Sequence, residues 1–268
     1  MNTASAARRA WVNLSSALGT IAVNALANII PFNGQTTGQV SDRFQVYFVP
    51  SGYVFAIWGV IYIAWLAFCM YQLLPRQRAN PRFAALGYWF ALSGVFNSLW
   101  LVAWHYNRFA LSLAIIVALL LTLIVCYRRL NVGRVTTTAG ERWCVDVPFG
   151  LYLGWVSVAT IANASDVLWF YGWNGWGIAP QTWTAIMLAV ATMLAAAMVW
   201  RRRDAVYPLV FVWAFVGIAH RQSGPAALPE AGRVVQAAWI AAAVCLGLAL
   251  TAAALRYFGR PLPVSTTP

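Results

Sequence analysis

Long apolar stretches separated by short polar joints recur along the whole chain. They fall near residues 12–30, 53–74, 84–104, 110–127, 147–170, 182–200, 205–220 and 234–255. A helix needs about 20 residues to cross about 30 Å of hydrocarbon, since each residue rises about 1.5 Å. Seven of the stretches approach that length and the seventh in order, 205–220, is short. Alternation with a period of two is missing, and the stretches are too long and too continuously apolar for a porin-like barrel. The pattern predicts an all-α, polytopic membrane helix bundle of about eight transmembrane helices. The first stretch follows Arg8 and Arg9 as a signal peptide would. Asn24 and Asn28 interrupt it, four residues apart on one helical face, and no clean small-x-small cleavage site follows, so it reads as a retained span.

Composition agrees with the pattern. The chain is 62% hydrophobic and 9% charged, with a mean hydropathy of +0.68, whereas soluble domains carry about 25% charged residues. A water-soluble domain is excluded on that ground. All 18 basic residues are arginine, against six acids. They sit in short runs between apolar stretches, which is the signature of membrane topology and not of nucleic-acid binding. With a cytoplasmic N-terminus, 14 arginines fall in inner loops or tails and four (Arg43, Arg108, Arg221, Arg233) in outer loops. The positive-inside rule therefore places both termini in the cytoplasm and the protein in an energised membrane, a bacterial inner (plasma) membrane, with membrane lipids as partners. The tail 261–268 reads as flexible. Cys69, Cys126, Cys144 and Cys245 lie in or beside apolar stretches without metal-ligand spacing and read as small packing residues. With two histidines in the chain, no metal site is expected.

The loop 31–50 is long and polar and reads either as a surface connection or as a lid. Trp173 and Trp176, in an uncharged loop at a span end, read as interfacial anchors. His105 also reads as interfacial, and Asp146 as a solvated end charge beside Arg142. Asp166 falls toward the outer end of its span with no arginine adjacent in sequence. Fifteen tryptophans are present, and Trp58, Trp65, Trp89, Trp155 and Trp213 lie inside spans. Such rings either pack or line a cavity for a flat apolar ligand. Asn97 and Trp100 lie in the third span; Tyr152, Trp155, Ala159 and Asn163 share one face of the fifth. An asparagine in hydrocarbon must find a partner, and both a neighbouring helix and a ligand meet that need. No phosphate loop, metalloprotease motif or nucleophile elbow is present, and no catalytic residue is assigned.

The stretch VPSGYVFAIWGVIY, residues 49–62, resembles the signature of the TspO/MBR family, the tryptophan-rich sensory proteins related to the translocator protein, or peripheral benzodiazepine receptor. Pro50, Phe55, Trp58 and Tyr62 match; Ser51, Tyr53 and Ile61 depart from the family's proline, tryptophan and leucine. FNSLW at 96–100 is similar to the family's third-helix element. VPFGLYLGWVSVATIANA at 147–164 is similar to its fifth helix through Pro148, Trp155, Ala159, Thr160 and Asn163, with Phe149 directly after the proline and Tyr152 displaced. The resemblance covers about 12–170 and implies a TspO-like five-helix core, followed by a three-helix transmembrane extension over 182–255.

By that resemblance Trp58, Tyr62, Asn97, Trp100, Tyr152, Trp155 and Asn163 become a ligand-binding wall. The implied function is that of a membrane sensory or receptor protein. Its ligand would be hydrophobic and flat, a tetrapyrrole such as haem or protoporphyrin or a sterol-like lipid, with no cofactor required. The resemblance also offers a homodimer. Two rival functions stand beside this one: transport of a small hydrophobic molecule, and light- or oxygen-dependent degradation of porphyrin. Of enzyme and non-enzyme, the sequence favours the latter.

Overall fold

The computed structural model describes residues 3–258, and the tail 261–268 lies outside the described residues. Within them every regular element is helical. Eight helices carry the architecture: α1 (Thr3–Ile29), α2 (Ile57–Leu73), α3 (Trp89–His105), α4 (Phe109–Arg129), α5 (Val147–Phe170), α6 (Pro180–Arg202), α7 (Val206–Ser223) and α8 (Gly232–Phe258). Six candidate spans are long and apolar enough to cross a membrane: Ala4–Ile29, Gly52–Leu73, Phe109–Arg129, Ala139–Phe170, Pro180–Arg202 and Gly232–Phe258. The other two long helices, α3 and α7, have 17 and 18 residues.

Local chemistry explains the breaks. The apolar stretch predicted as 84–104 is divided, because Gly87 takes a φ of 60° and ends a short helix Pro81–Leu86 before α3 begins. Glycine adopts that left-handed conformation without the Cβ clash other residues meet. Asn107, at a φ of 58°, makes the tight reversal between α3 and α4. Ahead of α5, Thr138 and Glu141 form a capping box, and the chain then passes through a π-turn at Arg142–Asp146. Asp204 caps α7, accepting from the backbone N–H of Val206 at 2.8 Å. Arg203, in the left-handed region, closes α6 just before it.

The chain divides into two compact units, and the division falls inside α5, between 153 and 154. The first unit holds residues up to Thr36 and Ile57–Leu153. In it α1 packs on α2 and α3, and α3 packs on α4. The α1–α3 contact is a seam of small and polar groups. Ser16 donates to the Ala91 carbonyl at 3.0 Å, and a Cβ added at Gly94 would collide with Ser16 Oγ and Thr20 Oγ1. Membrane helices approach closely along such seams because lipid supplies no hydrophobic force between them. The asparagine face of α1 continues the same row, as described below.

A second set of contacts in this unit joins the segment around Asn80 and Arg82 to the end of α4 and the start of α5. Arg82 donates to Asp146 Oδ1 and to the Leu130 carbonyl, and Asn80 donates to Glu141 at 3.0 Å. Asp146 is therefore not a solvated end charge: it is 3% exposed and ion-paired to Arg82. The π-turn places its carboxylate inside the unit, where a guanidinium from 64 residues earlier reaches it.

The second unit holds Thr37–Ala56 and the chain from Gly154 onward. Here α6, α7 and α8 pack on one another. Most of the long polar connection belongs to this unit, and it is not a free surface loop. Val40, Phe44, Tyr47, Phe48, Val49 and Val54 are all buried. Gly217 of α7 admits Pro50 and Val54, which would clash with any side chain at that position. Gln222 donates to the Tyr47 carbonyl, Trp213 Nε1 to the Val54 carbonyl at 2.9 Å, and Tyr47 Oη to the Pro229 carbonyl. Burial and the Glu230 carboxylate push the Tyr47 phenol up, so it remains a neutral donor.

The α1–α3 seam yields a direct expectation. Gly94→Val should lower the thermal unfolding midpoint by several degrees, an overpacking cost of about 1–3 kcal/mol. Gly59→Val on α2 should leave it unchanged, because no atom lies within 4 Å of a Cβ added there. Thermal unfolding of both variants in one detergent checks the pair.

Candidate functional site

In the first unit, four aromatic residues meet, and one of them, Tyr152, is hydrogen-bonded to a buried amide. Trp58 and Tyr62 lie one turn apart on α2, and their rings stack with centroids 5.8 Å apart. Trp65, the next turn along, stands 5.4 Å from Tyr62 and meets Tyr152 edge-to-face at 4.6 Å. Trp58 approaches the edge of the same Tyr152 ring at 6.3 Å. Tyr152 comes from the first turns of α5 and is 1% exposed, whereas Trp58 and Tyr62 are half-buried. The group thus has a closed floor and a partly open wall of rings.

Asn97 ties this group to α1. Its Nδ2 donates to Tyr152 Oη at 3.3 Å, and its Oδ1 accepts from Asn24 Nδ2 at 2.9 Å. Asn24 also donates to the Thr20 carbonyl. Both asparagines are buried, as hydrocarbon requires of amides that have found partners. The Trp65 indole differs: it is 2% exposed, and its N–H has no hydrogen-bond partner among the described residues. A buried donor left in that state is costly and available to an acceptor brought by a ligand.

Of the sequence-predicted residues, Trp58, Tyr62, Asn97 and Tyr152 come together in this way. Trp100, one turn beyond Asn97 on α3, is buried and stacks on Trp104 with centroids 6.3 Å apart. Trp155 and Asn163 belong to the second unit. There Trp155, 2% exposed, meets Phe55 edge-to-face at 6.0 Å, and Asn163 is buried two turns further along α5. Trp65 and Asn24 were not among the predicted wall residues. Both carried a signal, Trp65 as an in-span tryptophan spaced i+3 from Tyr62 and Asn24 as a polar residue inside an apolar run.

His105 is fully buried under residues 32–35, where Phe32 packs edge-to-face on its ring and Asn33 and Gln35 both donate to its carbonyl. Trp173 and Trp176 gather with Trp183 at centroid separations of 5.3–5.8 Å, and Trp176 is 76% exposed. That exposure at the mouth of α6 suits a ring seated at the headgroup level.

Such an arrangement can bury a flat apolar molecule against ring faces and offer it one unpaired N–H. It presents no activated nucleophile. Asn97→Ala should cost about 1–2 kcal/mol of stability, because it leaves one of the two N–H groups of Asn24 Nδ2 unmatched and removes the donor to Tyr152. Tyr152→Phe, which keeps the ring, should cost less; reversible unfolding of the two variants in mixed micelles measures the difference.

A family model described as TSPO-like protein matches residues 10–251. The matched span runs on past α5 and through α6, α7 and most of α8. No curated protein and no solved structure matches the chain.

Proposed function

The chain belongs to the TSPO-like protein family, and on that premise we propose that it binds a hydrophobic, flat ligand, a tetrapyrrole or sterol-like molecule, as a membrane receptor or sensor. It is a multi-pass membrane protein of apolar helices. The observation that carries the ligand reading is the half-open ring group of Trp58, Tyr62, Trp65 and Tyr152, with the unpaired Trp65 N–H inside it. Ring faces supply apolar contact at low entropic cost, and the N–H gives orientation to a ligand acceptor. Asn97 and Asn24 hold Tyr152 in place. Trp100, Trp155 and Asn163 are proposed as further contacts. Arginine distribution supports eight spans, both termini in the cytoplasm and residence in a bacterial inner membrane.

Titration of the purified protein with protoporphyrin IX and haem tests the ligand. Saturable tryptophan quenching is expected, weakened about tenfold or more by Trp65→Phe, which removes the N–H and keeps an aromatic ring. Partitioning without saturation, equal in parent and variant, overturns the tetrapyrrole reading. Bleaching of bound porphyrin in light and oxygen would instead favour degradation, and flux of label across proteoliposomes would favour transport. For topology, a green fluorescent protein fused to the C-terminus should fluoresce in cells, and a dark, membrane-inserted fusion contradicts the cytoplasmic placement.

A further inference from the structure

The joint between the short helix Pro81–Leu86 and α3 carries a basic and aromatic cluster that the ligand reading does not use. Gly87 ends the short helix in the left-handed region, and Tyr88 and Trp89 follow directly where α3 begins. Arginines reach this joint from both helices that pack on α3. Arg8 of α1 donates from Nε to Tyr88 Oη at 3.2 Å. Arg129, in the last turn of α4, donates from Nη1 to the Ala85 carbonyl at 3.1 Å, and its guanidinium lies over the Trp89 ring, 5.4 Å from the centroid. Arg8, Ala85, Tyr88 and Arg129 are all exposed and Trp89 is half-buried, so the cluster is open to its surroundings.

The protein supplies these two arginines with no counter-charge. The acids of the first unit are Glu141 and Asp146, and Arg82 pairs with both. Among the described residues no carboxylate lies within ion-pair distance of Arg8 or Arg129. An arginine that serves only as a solvated charge gains nothing from being fixed, since holding a long side chain in one geometry costs conformational entropy. Both of these are held. The Ala85 carbonyl takes one donor of Arg129 and the indole takes one face, which leaves the rest of the planar fork to an acceptor from outside. Such a fork matches the paired oxygens of a phosphate. Apolar ground lies beside it: Leu92, three residues on from Trp89, and Val125, one turn back from Arg129, both reach the surface. Tyrosine and tryptophan at the end of an apolar helix suit the headgroup level of a bilayer.

We propose that this joint is a binding site for the phosphate of an anionic phospholipid, with Arg129 as its main ligand and Arg8 as a second cation. Trp89 and the Ala85 carbonyl fix the plane of Arg129, and Tyr88 keeps Arg8 beside the joint. In the orientation proposed above, this end of the helices faces the cytoplasmic leaflet, where basic segments attract anionic lipids. The site uses none of the residues assigned to the flat ligand, so either reading can fail alone.

The full chain in a neutral detergent is titrated with phosphatidylglycerol, with phosphatidylcholine of the same acyl chains and with glycerol phosphate, and bound molecules are counted by native mass spectrometry. Saturable binding of phosphatidylglycerol is expected, about tenfold tighter than that of either comparison compound. Arg129→Gln should weaken it about tenfold, and Arg129→Lys, which keeps the charge and loses the fork, several-fold. Tyr88→Phe, which changes no charge, should weaken it about twofold by releasing Arg8. Arg78→Gln removes an exposed arginine outside the cluster and should leave the affinity unchanged. If Arg129→Gln fails to fold, Arg129→Lys and Tyr88→Phe carry the decision. Equal weakening by Arg78→Gln and Arg129→Gln means diffuse attraction and overturns the site, as does parental affinity in both Arg129→Lys and Tyr88→Phe. Glycerol phosphate bound as tightly as phosphatidylglycerol overturns the lipid as its occupant.

Discussion

Hydrocarbon gives a polar side chain no water to fall back on, so each one inside a span must be met by protein. The row Ser16, Thr20 and Asn24 on α1 is where this constraint has the widest reach. Spaced four residues apart, the three lie along one face, and α3 answers them with the Ala91 carbonyl, the bare Gly94 and Asn97. Gly94 lets the backbones approach, and that approach brings Asn24 within 2.9 Å of Asn97. Asn97 can then turn its remaining donor to Tyr152, which the rings of Trp58 and Trp65 surround. The candidate site is in this sense a consequence of helix packing between small residues.

Charge is handled by the same rule at the helix ends. Arg82 neutralises Asp146 with Glu141 nearby, and Asp204 spends its carboxylate on the first backbone N–H groups of α7. Each of these acids has both a charge or dipole partner and a hydrogen bond. Asp166 is buried as well, and its Oδ1 has no hydrogen-bond partner among the described residues.

The connection between α1 and α2 shows how a polar composition can mislead. Gly, Gln, Thr and Asn dominate its first half, and alone they describe a solvated loop. Its second half carries Phe44, Tyr47, Phe48, Val49 and Val54, and these are the residues buried in the second unit. Gly217 and the backbone acceptors of this segment make the fit specific to α7.

The sequence by itself determined the all-helical class, the long apolar helices and, through Trp58, Tyr62, Asn97 and Tyr152, most of the ring group, because periodicity and hydrophobic length are local properties. Family membership was legible for the same reason, in three ordered motifs whose residues stand close together along the chain. Only the tertiary structure decided the partners. That Asn24 meets Asn97, that Arg82 buries Asp146, that residues 32–35 cover His105 and that Asp42 pairs with Arg221 all depend on groups separated by 60 residues or more. Sequence spacing carries no signal across such separations. It is helix approach, set by where a side chain is missing, that chooses which polar groups satisfy each other.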